Sequence, residues 1–273
     1  MDFLTGYTDM EDALKIHANI PDSKKGISYD TFKELIETEI LSEHQGEDTG
    51  ESAYFNHTCG VNANHLVDTV LFYYTPYSAS VDPEVNLRRY VEYTTEKKYG
   101  APIYKQACFV SKFSNTYVYR FDYKPKKGLI TDLPEWVSVP HGFELLFFLG
   151  MPYWPSLPPF TWNGADRKVA DPVMTLFTNF VKYGNPVQTG VNFKWDPFKD
   201  KVSNIMIIDR NFNMSDPSTF DYKAFTFWID YYPKVIEATQ CCNETQNGLR
   251  MYSNPALTGI LAALAVMPYN LIS

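Results

Sequence analysis

The sequence has little positive charge. It contains 24 Lys and Arg residues against 32 Asp and Glu residues, which gives a formal net charge of −8 at pH 7, and it lacks any long basic run. Nucleic-acid binding requires clustered Lys and Arg side chains, because contacts with the phosphate backbone supply most of the affinity. The composition therefore excludes nucleic acid as a partner.

Metal-ligand spacing is also absent from the sequence. The 4 cysteines and 5 histidines do not recur at the short intervals that are typical of zinc sites. We therefore expect no metal and no other cofactor. Aromatic residues, by contrast, make up 16% of the chain, which favours a large packed core, aromatic-lined surfaces, or both.

Three Asn-x-Ser/Thr sequons are present, and two of them lie within a few residues of cysteines. Sequons accept N-linked glycans, and disulfides form in the same secretory compartments. We therefore predict a glycosylated, disulfide-bonded protein of the secretory pathway, located at the cell surface or outside the cell. The predicted glycan acceptors are Asn56, Asn213 and Asn243.

The cysteines are Cys59, Cys108, Cys241 and Cys242. Four cysteines allow three pairings. A bond between the adjacent Cys241 and Cys242 would be strained, so we expect each of these two to pair with one of the others. The alternative is that the cysteines are buried free thiols.

The first residues of the chain lack the charged and apolar regions of a signal peptide. Residues 2–7 are predicted to form a β-strand that runs into a turn. A secretory composition without a signal peptide leads us to expect that the chain is part of a longer protein.

The C-terminus differs in kind from the folded region predicted at residues 1–240. Residues 241–255 form a polar spacer, and residues 256–273 form an apolar tail without charged residues. A polar spacer followed by an apolar tail is typical of a glycosylphosphatidylinositol attachment signal, so we predict membrane attachment through the tail. The alternatives are a short membrane span, which needs about 20 apolar residues, and an ordinary helix.

Apolar residues recur at helical spacing in several stretches, and residues 116–123 alternate in the manner of a strand. Residues 204–209 are predicted to form a second short, buried strand after it. The predicted helices cover residues 29–41, 62–74, 83–98, 105–113, 166–183 and 221–232.

A short motif surrounds one histidine. Residues 140–145 read Pro-His-Gly-Phe-Glu-Leu, with Pro-Glu-Trp-Val before them at 134–137 and an apolar run that closes on Gly150 after them. This segment resembles the one that carries the catalytic histidine in type-B carboxylesterases, the cholinesterase and neuroligin family of α/β-hydrolases.

The resemblance covers most of residues 1–233. Two further segments carry it: residues 173–186, which contain Thr-Asn-Phe-Val-Lys-Tyr-Gly-Asn-Pro, and residues 227–233, which read Phe-Trp-Ile-Asp-Tyr-Tyr-Pro. It implies an α/β fold class. The chain is expected to form the C-terminal part of an α/β-hydrolase, with a mostly parallel sheet, helices on both faces and no N-terminal strands.

Ester hydrolysis in this family uses a serine, then an acid, then a histidine along the chain. The resemblance implies that His141 is the base and that Glu11 is the acid. Asp9 and Asp12 are alternatives for the acid, and Asp12 occupies a position where the family commonly has glycine. Glu144 is either a buried carboxylate beside the histidine loop or a structural residue, and we favour the structural role.

A nucleophile is not predicted. Residues 50–54 read Gly-Glu-Ser-Ala-Tyr, but no apolar strand precedes Ser52, a tyrosine stands where the turn needs a small residue, and the segment follows Glu11. The glycine run that would form an oxyanion hole is absent too. We therefore expect the chain to be inactive on its own.

The resemblance also bears on the disulfides. In many relatives a cysteine just before the Phe-Trp pair bridges to the position of Cys108. Here Phe225 and Thr226 occupy that region, so the resemblance implies a bridge rerouted to Cys241 or Cys242, or none.

Two functions fit the longer protein that we expect. The first is a catalytically silent, neuroligin-like surface protein that binds a cell-surface protein partner in adhesion, and the sequons and the tail slightly favour it. The second is an ester hydrolase that acts on a small ester, with Glu11 and His141 as acid and base.

Overall fold

The computed structural model describes residues 2–44, 63–75, 82–125, 133–155, 161–188, 190–199, 204–217 and 220–239. Within these ranges four strands form one sheet in the order β1-β2-β3-β4. The strands are β1 (Phe3–Thr8), β2 (Thr116–Phe121), β3 (Ile205–Ile208) and β4 (Asn213–Met214).

The sheet is mixed, with parallel pairing at its centre. β1 pairs in parallel with β2, and β2 pairs in parallel with β3, whereas β3 and β4 are antiparallel. The aromatic and β-branched residues of β2 suit a strand buried on both faces. The mostly parallel sheet predicted from the sequence is thus observed for the described strands, with an antiparallel strand added at one edge.

Helices lie on both faces of the sheet. Tyr117, Tyr119 and Phe121 point from β2 into one apolar cluster with α6 and α7, and Val118 points into another with α5 and α8, as the period of two in a strand requires. The helices are α1 (Ala13–Asn19), α2 (Tyr29–His44), α3 (Ala63–Tyr74), α4 (Pro83–Thr95), α5 (Ala101–Val110), α6 (Phe143–Phe148), α7 (Gly164–Tyr183), α8 (Lys223–Thr226) and α9 (Tyr232–Thr239).

A π-helical turn (Glu96–Gly100) joins α4 to α5, so that one helix runs where two were predicted at 83–98 and 105–113. Pro102 lacks an N–H and its ring clashes with the carbonyl four residues earlier in a regular helix. A wider turn just before the proline relieves this clash. A second π-turn (Phe227–Tyr231) joins α8 to α9.

Only two of the predicted glycan acceptors and cysteines lie within the described residues. Asn213 is exposed on β4, and Cys108 is half-buried on α5, but glycosylation and disulfide pairing stay predictions. Within the described ranges, no helix combines the length and the apolar character needed to cross a membrane. The features outside are Ser52, Asn56, Cys59, Cys241, Cys242, Asn243, the spacer at 241–255 and the tail at 256–273.

Gly6 marks a close approach inside the sheet. It pairs with Tyr119, and a Cβ at Gly6 would lie 2.4 Å from the Tyr119 ring. Gly6→Ala should therefore lower the free energy of unfolding by about 1–3 kcal/mol through overpacking. Gly164→Ala is the matched control, since nothing lies within 4 Å of a Cβ there. Urea unfolding of both variants tests this, and equal midpoints would refute it.

Glu96 should make stability depend on pH. Burial, followed by the carboxylate of Glu92, raises the pKa of Glu96 from 4.5 to about 8, although the Tyr74 hydroxyl donates to it. The folded state holds this proton more tightly than the unfolded state. The stabilisation is therefore complete below about pH 4.5 and is lost as pH rises through about 8.

Glu96→Gln removes this titration. Relative to the unmodified chain, the variant should gain stability across that pH range, by an amount on the order of a few kcal/mol. Urea unfolding at a series of pH values measures the difference between the two proteins. A difference that does not change with pH would show that Glu96 is not protonated in the folded state.

Candidate active site

Glu11 and His141 come from the loops that follow two neighbouring parallel strands. Glu11 lies three residues beyond the end of β1, and His141 lies in the segment between β2 and α6. Backbone hydrogen bonds join the two loops, since Met10 N–H donates to the Val139 carbonyl at 3.0 Å. The carboxyl ends of parallel strands meet at one edge of a sheet, and this edge holds the site.

Two hydrogen bonds link Glu11 to His141. The imidazole Nδ1 lies 2.6 Å from Glu11 Oε2, and the His141 backbone N–H donates to the Glu11 carbonyl at 3.2 Å. The Glu11 side chain is 3% exposed and the His141 side chain is 69% exposed. A buried carboxylate beside Nδ1 favours the tautomer with the proton on Nδ1, which leaves Nε2 free to accept a proton.

The Glu11 carboxylate is fixed in place from its other side. Its Oε1 accepts a hydrogen bond from the Thr8 backbone N–H at 2.6 Å, and its own backbone N–H donates to Thr95 Oγ1 at 3.1 Å. Both carboxylate oxygens therefore have donors. Hydrogen bonds to the charged form offset part of the cost of burying it.

Asp9 and Asp12, the two alternatives to Glu11, contact residues other than His141. Asp9 lines a cavity of about 340 Å³ together with Arg120. Asp12 accepts a hydrogen bond from the Tyr99 hydroxyl at 3.1 Å. The structure thus places Glu11, among the three acids considered, against His141.

Two further residues contact the site, and the sequence did not predict them. Thr95 bonds to the Glu11 backbone, and the Tyr99 ring lies beside the His141 ring with 5.7 Å between ring centroids. Both lie on the helix that crosses beside the acid loop, more than 80 residues away from Glu11 along the chain. No local pattern in the sequence points to such a long-range contact.

Glu144 lies in the first turn of α6, three residues after His141. Burial raises its pKa, the backbone N–H groups of the helix start oppose this shift, and the Glu11 carboxylate adds to it. Its Oε2 is buried without a hydrogen-bond partner among the described residues. The structural role that we favoured for Glu144 stays a prediction.

The paired side chains of Glu11 and His141 have the arrangement of a general base that can also act as a general acid. A histidine whose Nδ1 is bonded to a buried carboxylate can take a proton at Nε2 and later return it, while the carboxylate stabilises the imidazolium. The exposed imidazole faces outward, where a reacting group could approach it.

The chain is similar to known proteins of one family. A family model described as carboxylesterase family matches residues 1–228. A cholinesterase of Mus musculus is 26% identical over 196 residues, which cover 68% of this chain and 31% of that protein. An acetylcholinesterase of Bungarus fasciatus is 23% identical over 188 residues, which cover 68% of this chain and 30% of that protein. The chain thus spans about a third of the length of these relatives.

Thr95 should matter for the stability of the acid loop. Thr95 is 3% exposed, so Thr95→Val leaves the Glu11 N–H buried without its acceptor and should cost about 1–3 kcal/mol of unfolding free energy. Thr95→Ser keeps the hydroxyl and should cost less than about 1 kcal/mol, the value of one buried methyl group. Chemical unfolding compares the two variants, and an equal loss in both would argue against the bond.

Proposed function

Because this chain belongs to the carboxylesterase family, we propose that it supplies the acid and the base of a carboxylic-ester hydrolase. His141 is the general base and Glu11 the acid that orients it. The observation that carries the proposal is the 2.6 Å contact between His141 Nδ1 and the buried Glu11 carboxylate. The exposure of the His141 side chain, 69% of which is accessible, supports it, because Nε2 must reach the nucleophile.

The proposed mechanism needs a serine that lies outside the two loops carrying Glu11 and His141. His141 Nε2 removes the proton from the serine hydroxyl as its oxygen attacks the ester carbonyl. The imidazolium then gives the proton to the departing alkoxide. The alcohol is released, and the acyl group stays bonded to the serine oxygen. Water hydrolyses the acyl-serine by the same transfers, and Glu11 stabilises the imidazolium in both steps.

The chain by itself should not hydrolyse esters. The Gly-Glu-Ser-Ala-Tyr segment at 50–54 lacks the small fifth residue of a nucleophile turn. A general base without a nucleophile and without oxyanion donors lacks the groups that form and stabilise the tetrahedral intermediate. We infer that these groups are provided by other parts of a longer protein.

A silent adhesion protein is the second candidate. The features that favour it are the three sequons and the polar spacer with an apolar tail. Asn213, the acceptor residue of one sequon, is exposed, as glycosylation requires. Under this proposal the protein lies at the cell surface and binds another cell-surface protein, and Glu11 and His141 remain only as structural contacts.

The ester-hydrolysis activity of the longest protein encoded by the transcript tests whether the hydrolase or the adhesion protein is correct. In an active enzyme, Glu11→Gln should lower kcat by about 10⁴-fold and His141→Gln by about 10⁶-fold, and the double variant should be little worse than His141→Gln because the residues act as a unit. His65→Gln is the control, since His65 is exposed on α3. Rates are measured with a 4-nitrophenyl ester.

A fluorophosphonate probe reports the serine independently of substrate choice. Labelling of one serine together with ester hydrolysis supports the hydrolase. Neither labelling nor hydrolysis in the longest encoded protein would favour the adhesion candidate. Hydrolysis that survives His141→Gln would rule out the assigned base.

A further inference from the structure

The π-turn between α4 and α5 contacts the acid loop at several points. Thr95, just before the turn, accepts a hydrogen bond from the Glu11 backbone. Lys98 Nζ lies 3.5 Å from Asp12 Oδ2, and the Tyr99 hydroxyl donates to Asp12 Oδ1 at 3.1 Å. The end of α4 and the π-turn that follows it therefore hold the two consecutive acids of the loop, Glu11 and Asp12.

Asp12 is not used as a helix cap. It occupies the N-cap position of α1, where an aspartate usually accepts a hydrogen bond from the first turn, but its side chain makes no capping bond. Its carboxylate is instead directed at Tyr99 and Lys98, and the residue is 7% exposed. The aspartate that departs from the glycine of the family thus has a partner on the π-turn.

Tyr99 connects this contact to the histidine. Its ring lies beside the His141 ring, tilted by 43° and with 5.7 Å between the ring centroids. Burial, followed by the Asp12 carboxylate, raises the pKa of Tyr99 to about 12, so the phenol keeps the proton that it donates. The phenol is anchored at its hydroxyl end while its ring lies beside the imidazole.

We propose that Tyr99 is a positioning residue for His141 and that Asp12 holds Tyr99 in place. The inference rests on the proposed role of His141 as a base. With 69% of its side chain exposed, His141 has few contacts to restrain its ring. The Tyr99 ring blocks rotation of the imidazole away from Glu11, and a fixed base is a more effective base.

Proton NMR of the full chain labelled with ¹⁵N-histidine tests the inference without any need for the nucleophile. A His141 Nδ1 proton bonded to a buried carboxylate gives a downfield resonance that is protected from exchange. Tyr99→Leu should lose this resonance to exchange broadening. Tyr99→Phe and Asp12→Ala should each broaden it, and the double variant should be no broader than either, because both break the same anchor.

Tyr104→Leu is the matched control. It removes a tyrosine ring from α5 that packs against Phe198 and Phe225 rather than against His141, and it should leave the resonance sharp. Urea unfolding confirms that each variant is folded. Tyr99→Phe keeps the inference testable if Tyr99→Leu does not fold.

The outcomes separate the two proposals. A sharp resonance in Tyr99→Leu, or equal broadening in Tyr104→Leu, would overturn the positioning role alone. Absence of the resonance from the unmodified chain would overturn the positioning role together with the contact on which the proposed function rests. Loss of the resonance in Tyr99→Leu supports the positioning role even where the longer protein proves to be inactive.

Discussion

Parallel pairing of β1 with β2 is the constraint on which the site depends. Parallel neighbours cannot be joined by a hairpin and need a long crossover, here residues 9–115. Because both strands run in the same direction, the loop after β1 and the loop after β2 leave the sheet at the same edge. The pairing therefore brings Glu11 to His141 although 129 residues lie between them.

The crossover also supplies the surroundings of the acid. It contains α4, whose last residue bonds to the Glu11 backbone, and the π-turn after α4, which bonds to Asp12. Burial of a carboxylate is unfavourable unless hydrogen bonds satisfy it, and here the Thr8 N–H and the His141 imidazole do so. The same hydrogen bonds that stabilise the buried charge also fix the direction of the histidine ring.

Local sequence patterns made several helices and strands predictable, whereas the contacts between residues far apart in the sequence could not be predicted. The strand at 116–123 and the helix at 166–183 were recognisable because their periodicity is clear, and α7 is bounded by an Asn163–Asp166 capping box and by Gly184 at a φ of +69°. The histidine motif was recognised by its resemblance to a family segment and not by periodicity. The choice among Asp9, Glu11 and Asp12 could not be made from sequence spacing, because it depends on the turn after β1.

Tyr99 and Thr95 show why the rest of the site could not be predicted. Thr95 ends α4 and Tyr99 lies in the π-turn ahead of Pro102, where the sequence pattern suggested a break between two helices. Contacts made across a crossover of this length leave no periodic signal in the sequence. The glycine-to-aspartate departure at Asp12 was visible beforehand, and its contact with Tyr99 gives it a structural reason.

The measurement that tests the central claim most directly is the tautomer of His141, read from two-bond ¹H–¹⁵N correlations of the labelled ring at a pH where it is neutral. The claim is that the buried Glu11 carboxylate holds the proton on Nδ1 and leaves Nε2 free to act as a base. We expect a protonated Nδ1 and a bare Nε2. A neutral ring protonated on Nε2 would contradict the account, because such a ring has no free nitrogen to accept a proton from a nucleophile on its exposed side.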